Sequence, residues 1–285
     1  MIRNRNAKIA LYGVAIVLLI FQVLIIGVAA PREYYLIHDW VFYVINYVII
    51  ILFLLLYCKN RHVRWIQLAI GLTLLVCNTT FFYYLGNVNV VVSKSTDNQH
   101  EVILKEYKKT SNETIRLKRK GFLFGKKVAT LRGSSLYKAL EEDMYKIEWS
   151  NEDTAIVTYQ ANEKGVLQQS IFNFRSSNYV SYRYVSVSLT GKWFEQDNPQ
   201  NYFIYNEGEI IYAKDGQLHY YRDEDSEQQG IFSVVISGND KKPSFTVLLN
   251  ADAEIGDNGL ITDGGTITIF PVSLQETEGK VYYRE

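Results

Sequence analysis

The chain lacks the short motifs that announce a chemistry. Its 285 residues contain no G-x-S-x-G, no Walker loop and no C-x-x-C, so the signals for a nucleophile elbow, a phosphate-cradling loop and a redox dithiol are missing. Histidine is scarce, limited to His38, His62, His100 and His219. None stands in H-E-x-x-H, and no second metal-ligand pair lies near them. Cysteine is scarcer: Cys58 and Cys77 both precede residue 86. Everything beyond is free of disulfides and must be held by its apolar core, which its length allows. Asp223-Glu224-Asp225 and the acids from Asp252 to Asp263 offer calcium ligands, but the latter lack EF-hand spacing, and solvated turns are the plain reading of both. The expectation is no catalytic residue, no cofactor and no metal.

Charge is missing where it matters most. Three apolar runs, Ile9 to Ala30, Leu36 to Tyr57 and Trp65 to Leu85, are each long enough to cross a bilayer. The first and third contain no charge, and the second has His38 and Asp39 only at its start. That pair reads as an ordinary interfacial helix end, with a pH-sensing pair as the sharper alternative. Tyr34, Tyr35 and Trp40 on one side, with Phe81 to Tyr84, and Tyr57 and Trp65 on the other, form aromatic belts. The first run exceeds the usual length of a cleaved signal segment, about 7–15 residues, despite Arg3, Arg5 and Lys8 before it. The quartet Leu74 to Cys77 has no small residue before the cysteine and is discounted as a lipoprotein box.

Basic residues set the expected orientation. Arg3, Arg5 and Lys8 precede the first run, and Lys59, Arg61 and Arg64 lie between the second and third. The loop between the first two has only Arg32, balanced by Glu33. Positive loops stay in the cytoplasm, so the N-terminus is expected inside, the residues after 86 outside, and the protein in a plasma membrane as a multi-pass chain. The missing disulfides suggest a bacterial envelope of the Gram-positive kind. Asn78-Thr79-Thr80 and Asn112-Glu113-Thr114 fit the glycosylation sequon by chance, the first inside a span.

Gln22, Asn46 and Asn78 are amides inside the runs, each roughly seven or eight residues from the outer end of its helix and so at similar expected depth. They read as a polar clasp between helices, each bond worth about 1 kcal/mol, with a permeation path or a docking site as the alternative. Gly13, Gly27 and Gly71 offer close helix approach.

Beyond residue 86 the pattern shortens to alternating segments. Strands are expected at His100 to Tyr107, Glu113 to Lys120, Lys127 to Leu131, Tyr145 to Trp149, Thr154 to Gln160, Val166 to Phe174 and Tyr179 to Leu189. One short helix is expected from Ser134 to Tyr145, with Leu136, Leu140 and Met144 on one face. After Gly191 the strands continue to Arg284, separated by turn signals such as Asp215-Gly216 and Asp263-Gly264-Gly265. The expected fold is a three-helix transmembrane region (1–86), a β-rich exported domain (87–189) and an antiparallel barrel-like unit (190–285).

Within the basic stretch Lys105 to Arg132, residues Arg116, Lys118, Arg119, Lys120, Phe122, Phe124, Lys126 and Lys127 read as a hairpin with apolar residues near its tip and cations on both arms. An edge hairpin protected by lysines is the plain reading. Contact with anionic lipid heads or an anionic wall polymer is the sharper one. Nucleic acid is not an expected partner of an exported domain.

The order Gly191-Lys192-Trp193, Gly230-Ile231-Phe232, Gly265-Thr266-Ile267-Thr268-Ile269 and Tyr282-Tyr283-Arg284 resembles small lipocalin-like domains of exported bacterial proteins over about the last third of the chain. That resemblance implies a barrel whose end is closed by Trp193 and Arg284, as structural residues. Ser95-Thr96-Asp97-Asn98 and Trp149 to Asp153 resemble, more faintly, the turns of exported β-meander domains, without their prolines. The whole chain resembles bacterial multi-pass membrane proteins. The reading is a non-enzymatic accessory protein or subunit of a cell-envelope complex, bound to the bilayer and to a membrane protein or a second copy. The alternatives are an extracytoplasmic small-molecule sensor and, third, an envelope hydrolase.

Overall fold

The computed structural model describes residues 5–56, 60–133, 135–175, 183–275 and 278–284. Arg3, Tyr57, Cys58, Lys59, Ser134 and Tyr179 to Tyr182, all used above, lie outside the described residues. The chain divides into two compact units, one reaching to Ser93 and resuming over Glu101–Asp143, the other holding Lys94–His100 and everything from Met144.

The first unit joins helices to a sheet. Helix α1 (Arg5–Leu24) continues through a π-helical turn, Ile25–Ala29, and a 3-10 turn, Ala30–Arg32. Strand β1 (Tyr34–Leu36), α2 (Trp40–Leu55) and α3 (Arg61–Phe81) follow. Strands β2 (Val88–Lys94), β3 (Glu101–Tyr107), β4 (Ile115–Lys120) and β5 (Phe124–Thr130) complete a five-stranded sheet in the order β1-β5-β4-β3-β2. Ile37, Ile103, Ile115 and Leu117 form its core.

Two helical stretches, Lys8–Arg32 and Arg61–Gly86, are long and apolar enough to cross a membrane, not three. Only 6% and 11% of their apolar windows are buried by the rest of the protein, so they are not core helices of a soluble fold, whose apolar stripe would face inward. The second expected span is shortened at both ends. Leu36 pairs with Phe124 in the sheet, so the helix starts only at Trp40. At the far end Leu56 turns extended. The 16 residues between make about 24 Å of helix, short of the ~30 Å hydrocarbon core.

A second correction concerns Ser134 to Tyr145, where residues 135–138 are irregular and 139–143 form turns rather than a helix. The buried Glu106 carboxylate takes the N–H groups of Leu140 (3.2 Å) and Glu141 (3.0 Å), so those donors are withdrawn from a helical ladder. Asp143 has φ of 55°, and Leu136 is 71% exposed.

The second unit carries a three-stranded sheet, β6 (Tyr145–Ser150), β7 (Thr154–Gln160) and β8 (Leu167–Asn173). One helical turn, α4 (Val185–Ser188), stands where the sequence alternates like a strand. Its buried residues, Val185, Ser188 and Leu189, fall at i, i+3 and i+4, which is helical spacing. Nine strands then form one antiparallel sheet: β9 (Gly191–Glu195), β10 (Tyr202–Asn206), β11 (Glu209–Lys214), β12 (Gln217–Arg222), β13 (Ser226–Gln228), β14 (Ser233–Ile236), β15 (Phe245–Leu249), β16 (Thr266–Pro271) and β17 (Lys280–Arg284). Its two edge strands, β12 and β13, are joined by a single 3-10 turn at Asp223–Asp225, so the sheet is a nearly closed barrel. Trp193, Phe203, Phe245 and Tyr282 are fully buried in its core. The ring of Tyr212 lies 4.4 Å from that of Phe245. Ile156 and Ile171 of the smaller sheet pack with Val235, Leu248 and Phe270 of the larger.

Candidate functional site

The amides expected as a clasp are all used within the first unit. Asn46 donates its Nδ2 to Asn78 Oδ1 at 3.0 Å, and Asn78 donates to the Tyr43 carbonyl at 3.2 Å. Gln22 does not join that pair. It donates to the Phe42 carbonyl at 2.9 Å, one turn nearer the start of α2. Gly71 lets α3 pack directly on Leu54, where a Cβ would collide, whereas Gly13 and Gly27 of the first span face open space.

The sequence reading did not find a second polar cluster, at the other end of α2. Gln67 donates to the carbonyls of Phe53 (2.5 Å) and Leu56 (3.0 Å). Arg64 donates to that of Leu54 (2.9 Å) and to Gln67 Oε1 (2.7 Å). These carbonyls lie at the helix C-terminus, where the i+4 donors run out, although Phe53 also accepts from the Leu56 N–H at 3.4 Å; a cation there also meets the negative end of the helix dipole. Arg64 was readable only as a charge of the loop.

The tie between helices and sheet is an ion pair. Lys105, fully buried in mid-β3, donates from Nζ to Asp39 Oδ1 at 2.7 Å and to the Leu36 carbonyl at 2.8 Å. Asp39 immediately precedes α2, and its side chain caps no helix N–H but is tied to the sheet. Burial pushes the Asp39 carboxyl above its ordinary range and pulls the Lys105 amine below its own, each shift opposed by the partner's charge. Burial likewise raises the Tyr107 phenol, whose ring lies 4.9 Å from Lys105 Nζ. No spacing rule links two residues 66 positions apart. The one available signal was a lysine inside an otherwise apolar strand.

The basic hairpin is β4–β5, with Lys118 opposite Lys126 and Lys120 opposite Phe124. Its residues separate in the structure. Arg116 is half-buried, and burial pulls its guanidinium down to about 10. Arg119 is held by Glu101 at 2.7 Å. Lys127 is half-buried, while Lys118, Lys120 and Lys126 are exposed. Phe122 at the tip is 90% exposed. Phe124 turns toward the first span, its ring 6.5 Å from that of Phe21 in an edge-on contact. Between them lies a groove of about 580 Å³ lined by span residues together with Arg32, Tyr34, Lys120 and Phe124.

In the second unit Trp193 and Arg284 are direct neighbours across β9 and β17. The indole donates to the Leu189 carbonyl at 2.8 Å, and the guanidinium to the Ile261 carbonyl at 2.8 Å. Gly191 has φ of 130°, and a Cβ there would sit 3.0 Å from Arg284 Nε. Both side chains make structural contacts. Among the described residues no group of three or more His, Cys, Asp or Glu side chains is placed to hold a metal.

No known protein family, curated protein or solved structure matches the chain. What fold and site define is a class: a protein with two helices long and apolar enough to anchor it in a membrane, both mostly uncovered by the rest of the chain, followed by a β-rich region with a nearly closed barrel.

Proposed function

We propose that the protein is a non-enzymatic accessory subunit of a cell-envelope complex, holding its β-rich region outside a bacterial plasma membrane and recognising a membrane protein partner through its first span. The carrying observation is the unequal use of small residues. Gly71 is filled by Leu54 within the bundle, while Gly13 and Gly27 lie open on a helix whose own fold covers little of it. Small residues are what allow backbones to approach in lipid. The orientation rests on the basic residues at the N-terminus and between α2 and α3, against the balanced Arg32-Glu33 loop. In this reading α2, although shorter than a full span, crosses beside α3, to which it is hydrogen-bonded, and local thinning of the bilayer makes up the missing length. The likeness of the last third to lipocalin-like domains enters as architecture only: the rings of Trp193, Phe203 and Phe245 occupy the barrel core, where the sensor alternative requires room for a ligand.

The test is a crosslinked pull-down of tagged full-length protein from its native membrane, beside Gly13→Leu and Gly27→Leu forms. A specific partner lost from either variant supports the reading. A partner retained by both moves recognition away from the first span. Capture of no protein, and of no second copy, defeats it.

A further inference from the structure

The groove between the first span and the hairpin has a composition that neither the spans nor the hairpin explains alone. Its apolar lining includes Phe21, Leu24 and Val28 of the span, with Phe124 from the sheet, and its cations are Arg32 and Lys120. Among the described residues no acidic one lines it. Both cations are exposed, and among the described residues neither has an ion-pair partner. Arg119, next to Lys120, is by contrast taken up by Glu101. The volume, about 580 Å³, is that of a small-molecule site.

We propose that this groove holds one acidic phospholipid, its phosphate taken by Arg32 and Lys120 and an acyl chain laid along Phe21, Leu24 and Val28. Three features point to a lipid rather than another anion. The apolar wall belongs to a helix of span length whose surface is open to hydrocarbon, so a chain enters the groove without leaving its own solvent. Arg32 ends the 3-10 turn that closes that helix, which puts the cation at headgroup level. Phe122, exposed at the tip of the same hairpin, suits an interfacial setting in which an aromatic ring faces lipid rather than water. A wall polymer matches the cations but has nothing to fill the apolar part. The proposal concerns a lipid, so it stands or falls separately from any protein partner of the first span.

The test uses full-length protein in mild detergent, mixed with phosphatidylglycerol or phosphatidylcholine and read by native mass spectrometry for retained lipid. Wild-type protein is expected to keep one phosphatidylglycerol and to discriminate against phosphatidylcholine. Arg32→Gln/Lys120→Gln is expected to weaken retention at least about tenfold, since each cation near an anionic lipid contributes severalfold. Val28→Trp, which fills the apolar part and leaves the cations, is expected to abolish it. Equal retention of the two lipids by wild type overturns the proposal, as does undiminished retention by both variants. Displacement by glycerol phosphate at concentrations matching the lipid also overturns it, because the chain would then contribute nothing. Should the double variant fail to fold, headgroup discrimination by wild type and the Val28→Trp form decide the matter.

Discussion

At the scale of single residues, Lys105 and Asp39 show how a buried ion pair fixes a junction without being a bargain. Their shifts run in the direction that disfavours both charges, because desolvation outweighs attraction. Removing one partner leaves the other charge buried and alone. Lys105→Met is therefore expected to cost about 3–5 kcal/mol, whereas Lys105→Met/Asp39→Leu together should cost less than the single change. Denaturation of the purified protein in detergent, arranged as a double-mutant cycle, measures the difference; strictly additive costs would mean the two do not act as a pair. Asp39 was legible as the start of a helix and Lys105 as a strand residue. Their partnership was not, because it depends on β3 reaching the chain just before α2, and tertiary placement leaves no local trace.

At the scale of elements, legibility followed the strength of the local pattern. Thr154 to Gln160 is a short run of β-prone residues bounded by turns, and it forms β7 over that same range, buried on both faces. The last third behaves likewise: β11 and β12 meet at the expected Asp215-Gly216 turn, and β16 begins directly after Asp263-Gly264-Gly265. Misreadings arose where a distant group overrode the pattern. The Glu106 carboxylate claims the N–H groups that a helix near Leu140 needs, and the Gln228 side chain takes the Val185 N–H at the start of α4. The short α2 is the same lesson in lipid, since its end is set by acceptors meeting Gln67 and Arg64 rather than by the end of the apolar run. Gln67→Leu strips the Phe53 carbonyl of its side-chain donor and leaves Leu56 only the long 3.4 Å contact from Arg64. The expected cost is about 1–2 kcal/mol, read as a lower unfolding midpoint in mixed detergent. An unchanged midpoint would mean that water or lipid headgroups already serve those carbonyls.

At the scale of the whole molecule, the two units are stabilised by different means and should fail under different conditions. The first depends on lipid around its helices and on the buried Lys105–Asp39 pair. The second depends on an aromatic core in which Tyr205, Tyr212, Tyr221 and Tyr282 are all buried. Burial raises each phenol, Tyr205 and Tyr212 to about 12, with the hydrogen bond to Asp223 adding to the effect at Tyr205. An unfolded tyrosine ionises near pH 10. The folded barrel holds its phenols neutral above that value, so their contribution to stability is complete below about pH 10 and is lost as pH rises through about 12. Alkaline titration of the full protein in detergent, followed by phenolate absorbance together with near-ultraviolet circular dichroism, should show a late group of tyrosines ionising as the barrel's tertiary signal disappears. A single absorbance step near pH 10 with the tertiary signal intact would mean that solvent reaches the rings, and the barrel would then have the open interior that a ligand-binding role requires.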